Sequence, residues 1–333
     1  MKPGILVTRA MFPEVLGRLR ETFDVIDNQA DIEYPPEALA ERLQGRVGLL
    51  SNAADTINAE LISRVPTLRA VCNMAVGYNN FDLAAMTRAG ILATNTPDIL
   101  TETTADFGWA LLMAAARRVS ESERLLRSGQ WKRWTYDMFL GAEVYGSTLG
   151  ILGMGRIGQA LARRASGFSM RVIYHNRSRL SPELEQDTRA TYVSKDDLLK
   201  QADHLVLVLP YSKESHHAIG AAELAQMKPT ATLVNLARGG IVDDAALAQA
   251  LAHKHIFAAG LDVYEGEPKV HPALLDAEHV ALTPHIASAT LGTRLGMANL
   301  AADNLIAALG FGPHAGRPPN LLNPDALAQR ASS

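Results

Sequence analysis

Three segments each place one charged or titratable side chain just after an apolar run. NLARGGIVDD (235–244) carries Arg238, GLDVYEGEP (260–268) carries Glu267 and LTPHIAS (282–288) carries His285. A guanidinium is planar and permanently charged, and it can grip a carboxylate with two parallel hydrogen bonds. An imidazole moves a proton near neutral pH, and a neighbouring carboxylate orients it and favours its protonated form. A hydride-transfer site needs these kinds of group: a cation for the substrate and a proton donor or acceptor near its oxygen. Singly, each residue has an ordinary explanation: a surface ion pair, a turn residue before Pro268, a packing residue after Pro284. The chemistry is carried by the three together, in this order.

A hydride needs a donor, and LGILGMGRIGQALARRA (149–165) points to one. Gly153, Gly155 and Gly158 stand in G-x-G-x-x-G spacing between a strand-like run and an amphipathic helical pattern. The first glycine permits a tight turn, the second leaves room for a pyrophosphate, and the third lets helix pack on strand. The helix start at Arg156 and Ile157 offers free N–H groups to the phosphates. The motif alone is weak, but in this setting it predicts dinucleotide binding.

The next strand ends in VIYHNRSR (172–179). An NAD site usually puts an acid after this strand to accept both ribose hydroxyls. Here the position holds Asn176, followed by Arg177 and Ser178. Without an acid a 2′-phosphate is not repelled, and Arg177 with Ser178 can bind it through charge-assisted hydrogen bonds. The expected cofactor is NADPH, with NADH as a lesser donor.

Parallel strands must position these groups. Strand-like runs are Ile5–Thr8, Val47–Ser51, Leu68–Met74, Ile91–Asn95, Leu149–Gly153, Arg171–His175, His204–Leu209, Thr232–Ala237, Phe257–Val263 and Val280–Thr283. Helical patterns separate them, as in α/β proteins with sheets covered on both faces. About five strands are expected before residue 96 and about six after 147, giving two doubly wound domains. Long helices are expected over Thr101–Arg127 and Thr290–Leu309, joining the domains. The tail after them is expected to return to the first domain. The division is therefore 1–100 with 290–333 for substrate, and 101–289 for the dinucleotide.

Composition narrows the function classes. The 333 residues are 47% hydrophobic and 20% charged, with a net charge of −3. No polybasic block suggests nucleic acid or an acidic membrane surface. The lone Cys72 excludes an internal disulfide, and the start reads directly into a strand rather than a signal peptide. A cytoplasmic protein is expected. His216-His217 and His253-Lys254-His255 invite a metal reading. Adjacent or alternate histidines on helices do not converge on one ion, and no carboxylate–histidine cluster is evident beside them, so no metal is expected.

With VGYNNFD (76–82), TPDILTETTADF (96–107) and TPHIAS (283–288) in order around GMGRIG, nearly the whole chain resembles the D-2-hydroxyacid dehydrogenases. Within them it looks most like the bacterial glyoxylate/hydroxypyruvate reductases, also called 2-ketogluconate or 2-ketoaldonate reductases. The resemblance implies a flavodoxin-like substrate domain and a Rossmann dinucleotide domain. It implies that Arg238 binds the substrate carboxylate, that His285 protonates the keto oxygen and that Glu267 orients His285. It implies backbone N–H groups of Val76 and Gly77 on the same carboxylate, although Ala75 replaces a frequent serine. Cofactor contacts implied are Thr104, Pro210, Ala237 and Asp262. The aromatic segment QWKRWTYDMFLGAEVYG (130–146) is implied to meet a second subunit in a homodimer. Alternatives are an NAD-dependent relative such as 3-phosphoglycerate dehydrogenase, or a corepressor-like NAD(H)-sensing protein. The first should carry an acid at 176 and a regulatory domain, and the second should carry extensions beyond the core.

Overall fold

The computed structural model describes residues 1–331. Short, fully buried apolar runs form the strands. Ile5, Leu6 and Val7, for example, have no exposed surface. Burying each such side chain is worth about 1.5–3 kcal/mol, and burial on both faces suits a parallel sheet. The chain divides into two compact units, 101–289 and 1–100 with the segment from 290 onward.

The first unit holds β1 (Gly4–Val7), β2 (Asp24–Ile26), β3 (Gly48–Ser51), β4 (Ala70–Asn73) and β5 (Leu92–Thr94). They form one parallel sheet in the order β2-β1-β3-β4-β5, the flavodoxin-like arrangement. The helix Leu291–Ala308 buries Ala298, Ala301, Ala302 and Leu305 in the core shared with Ile5, Val7 and Cys72. The tail does return to this unit: Leu322 N–H donates to the Ala93 carbonyl at 2.8 Å, and Asn323 bonds Ile91 and Ala93 beside β5.

The second unit holds β6 (Thr148–Leu152), β7 (Arg171–His175), β8 (Ala190–Tyr192), β9 (His204–Leu207), β10 (Thr232–Asn235), β11 (Ala258–Leu261) and β12 (Val280–Leu282). Their order, β12-β11-β10-β9-β6-β7-β8, is the Rossmann order with one added strand. The edge strands β2 (DVI) and β8 (ATY) are only partly buried, so no continuous apolar run marks them, and neither is among the expected strands.

The stretch 101–127 is two helices, Thr101–Ala116 and Val119–Arg127, rather than one. Arg118 breaks it with φ +53° while its guanidinium pairs with Glu121 at 2.8 Å. The Ala116 carbonyl accepts from Ala142 N–H at 2.9 Å. Among the described residues, no helix is long and apolar enough to cross a membrane.

Candidate active site

Arg238, Glu267 and His285 follow the C-terminal ends of the adjacent strands β10, β11 and β12. Glu267 is fixed through both oxygens: Oε1 accepts Tyr264 N–H at 3.0 Å, and Oε2 lies 2.8 Å from His285 Nδ1. Burial pushes the Glu267 carboxyl up. The hydrogen bond and charge of His285, the Tyr264 N–H and the Arg238 charge outweigh that and hold it below its ordinary value. Burial lowers the Arg238 guanidinium from its usual value, and the Glu267 charge opposes this. One Arg238 nitrogen is tied back to the Ala237 carbonyl at 2.8 Å. A cavity of ≈ 320 Å³ opens beside His285 and Glu267, walled by Tyr264, Val270, Leu282 and Pro284.

His285 itself sits at φ +53°, a conformation that costs a non-glycine residue about 1–2 kcal/mol. Asp262, 1% exposed, supports the turn. Its Oδ1 accepts Ile286 N–H and the Thr283 hydroxyl, at 2.8 and 2.7 Å, and its Oδ2 accepts Ala287 N–H at 2.8 Å. The sequence suggested only a cofactor contact for Asp262; holding the turn of His285 went unseen. Gly239 was missed as well. A Cβ there would overlap the Tyr264 carbonyl, so only glycine lets the Arg238 loop close on the loop of Glu267. Asp243 then caps the helix Asp244–Ala252 by accepting Ala246 N–H at 2.9 Å, which fixes the far end of the Arg238 loop.

The glycine loop follows β6 and starts the helix Arg156–Ala165. Gly153 has φ +104°, and a Cβ would press on Leu209 N at 2.6 Å. At Gly158 a Cβ would overlap the Gly153 carbonyl, whereas at Gly155 it would meet nothing within 4 Å. That open space beside a helix N-terminus fits a pyrophosphate. Asn176 turns its Oδ1 toward this loop and accepts Met154 N–H at 2.7 Å. The two arginines after it differ. Arg179 is committed to Glu185 by two 2.8 Å bonds, while Arg177 is exposed and has no hydrogen-bonded partner among the described residues. Its charge reaches Glu214, which the Ser212 hydroxyl, then Arg177 and Lys213, hold below the usual carboxylate range. Thr104 is buried on the helix Thr101–Ala116, Ala237 is buried after β10, Ile157 is half-buried, and Ser178, Arg156 and Pro210 are exposed.

The description "D-isomer specific 2-hydroxyacid dehydrogenase, NAD binding domain" matches residues 109–287. The glyoxylate reductase of Thermococcus gammatolerans is 49% identical over 311 residues, 92% of this chain and 93% of that protein. The glyoxylate reductase of Aeropyrum pernix is 47% identical, with 99% of this chain and 98% of that one aligned. Among solved structures, the NADPH-dependent glyoxylate/hydroxypyruvate reductase of Sinorhizobium meliloti, bound to NADP and malonate, superposes with a TM-score of 0.86 at 33% identity, covering 98% of each chain. This chain belongs to the D-isomer specific 2-hydroxyacid dehydrogenase family. It is an NAD(P)-dependent dehydrogenase acting on small 2-hydroxy or 2-keto acids.

One expectation about this dehydrogenase needs correcting. His216 and His217 lie in a turn rather than on a helix, and Glu265 does stand beside them. His217 has φ +50°, so its ring stacks on that of His216 with centroids 3.9 Å apart. The three residues could approach one ion. His217 also lies between two carboxylates, Glu265 at 3.1 Å and Asp243 at 3.8 Å. The contact ties the 211–217 loop to the loop of Glu267. His253 and His255 stack in the turn after the helix Asp244–Ala252.

In the first unit of the dehydrogenase, Val76 and Gly77 follow β4 and are half-buried. Ala75 is buried, and its carbonyl accepts Thr96 N–H at 3.0 Å.

Proposed function

We propose that this dehydrogenase reduces glyoxylate and hydroxypyruvate, with 2-ketogluconate as a further candidate, to D-2-hydroxy acids, preferring NADPH over NADH. The observation that carries the reading is the 2.8 Å contact between His285 Nδ1 and Glu267 Oε2 next to Arg238. It leaves His285 Nε2 for the keto oxygen. In the second unit Arg238 binds the substrate and draws charge from its keto oxygen, and in the first unit the N–H groups of Val76 and Gly77 serve the substrate carboxylate. His285 gives its Nε2 proton to the keto oxygen as the keto carbon gains hydride, and Glu267 orients the ring throughout. NADPH, when bound, supplies the hydride. Gly153, Gly155 and Gly158 with the N–H groups of Arg156 and Ile157 hold its pyrophosphate. Thr104 supports the phosphate side, Pro210 the adenosine, and Ala237 with Asp262 the nicotinamide.

The preference for NADPH rests on Arg177, exposed and without a hydrogen-bonded partner among the described residues, next to Ser178, and on the absence of an acid at Asn176. The names of the relatives support glyoxylate as a substrate and, in one case, NADPH as donor. The test follows nicotinamide absorbance with NADPH and NADH against glyoxylate, hydroxypyruvate, pyruvate and 2-ketogluconate. Turnover of the first two with NADPH favoured is expected. No oxidation with any of the four acids would overturn the reading.

We also propose a homodimer formed through 130–146. Trp131, Trp134, Tyr136, Leu140 and Tyr145 are 50%, 64%, 90%, 63% and 73% exposed, an apolar patch that calls for a cover. The preceding helix Val119–Arg127 buries none of its residues. Light scattering should give twice the chain mass, and a monomer at micromolar concentration would remove the proposal.

A further inference from the structure

The loop after β4 carries an arrangement of asparagines that the reaction scheme above does not use. The carbonyls of three successive residues are all bound. Ala75 O accepts Thr96 N–H at 3.0 Å, Val76 O accepts Asn95 Nδ2 at 2.8 Å and Gly77 O accepts Asn73 Nδ2 at 2.9 Å. The asparagines doing this are buried, Asn73 with no exposed surface and Asn95 at 7%. Asn73 leaves its own Oδ1 buried without a partner while its Nδ2 serves Gly77, and natural cores contain few such atoms. Each asparagine is supported in turn. Asn304 donates to the Asn95 carbonyl at 3.0 Å, and Asn80, whose Oδ1 lies 3.2 Å from Asn73 Nδ2, donates to the carbonyls of Asn52 and Asp55.

The N–H groups of Val76 and Gly77, by contrast, donate to no acceptor among the described residues. Two consecutive open N–H groups can serve one anion where the backbone turns them the same way.

We infer that Asn73 and Asn95 are positioning residues, clamping the Val76 and Gly77 carbonyls so that the two N–H groups stay presented to the substrate carboxylate. The inference rests on the proposed reduction of 2-ketoacids. It assigns these residues to substrate affinity rather than to proton transfer. Alanine at either position releases one carbonyl, and the loop no longer holds both donors toward one anion.

The test compares Asn73→Ala and Asn95→Ala with Asn323→Ala. Asn323 is also a buried asparagine of the first unit, bonded to Ile91, Thr87 and Ala93 away from this loop. All three should melt earlier than the wild type. Only the first two should raise KM for glyoxylate, by about 10- to 100-fold, with kcat changed less than about threefold and NADPH affinity kept. Should either alanine variant fail to fold, Asn95→Ser and Asn73→Ser are measured instead, with the same shift in KM expected. KM values matching that of Asn323→Ala would overturn the inference while leaving the reductase reading in place. A wild type inactive on every 2-ketoacid would remove both.

Discussion

At the end of β4 in the first sheet, what is left open is backbone: the N–H groups of Val76 and Gly77, whose carbonyls accept from buried asparagines. At the ends of β10, β11 and β12 in the second sheet, it is side chains: a guanidinium, a carboxylate and an imidazole. The two sheets share parallel pairing and a doubly wound order, yet they contribute different kinds of chemistry. On the proposed reading, backbone groups bind a charge that the substrate always carries. Side chains that titrate are needed where charge moves during the reaction. The division therefore predicts that damage to the second unit slows turnover, whereas damage to the β4 loop weakens affinity.

The largest expected effect tests that division directly. His285→Ala should lower kcat by about 10²–10⁴ with NADPH affinity kept, measured by single-turnover kinetics and cofactor titration. A normal kcat would place proton transfer elsewhere. Next in size is a change inside the second unit that spares the chemistry. Arg177→Ala should weaken NADPH about 10- to 100-fold and NADH little, read as separate Kd values. Equal losses would make Arg177 an ordinary solvated side chain.

A smaller effect concerns pH. Glu267 is held below its ordinary 4.5, so its stabilising contribution is present above that value and is lost as pH falls through the depressed one. The wild type should melt above Glu267→Gln at pH values just above 4.5, and the gap should close as pH falls below 4.5. A gap that widens in acid would contradict the ion pair. Smallest is a null effect in the first unit. Burial pushes the Cys72 thiol up to about 12, so native protein should resist iodoacetamide at pH 8 and react only when unfolded. Labelling of the folded chain, followed by mass spectrometry, would show that β4 opens.

The side-chain half of the candidate site is legible in the sequence only as a set, because Arg238, Glu267 and His285 each follow an apolar run in this order while each alone has an ordinary explanation. The glycine spacing was legible for the same reason, since few other needs place Gly153, Gly155 and Gly158 together. What escaped notice depends on distance rather than residue type. Gly239 looks like any loop glycine until the Tyr264 carbonyl is found where its Cβ would be. Asn95 reads as a strand end until its amide is seen on the Val76 carbonyl, 19 residues away in sequence. His216 and His217 suggest a helix in sequence, but they lie in a turn with φ +50° at His217, where their rings stack. Arg177 and Arg179 looked equivalent in sequence, and only the position of Glu185 separates them.

The first unit is assembled from both ends of the chain, residues 1–100 and those from 290 onward. Ala298, Ala301, Ala302 and Leu305 complete a core that Ile5 and Val7 begin. On a ribosome, the strands made earliest must wait, with one apolar face uncovered, until some 190 intervening residues have been synthesised. The nucleotide-binding unit, contiguous from 101 to 289, can mature during that interval. Nascent chains halted before residue 290 should accordingly protect the later-made unit from protease while leaving the amino-terminal hundred residues open to cleavage.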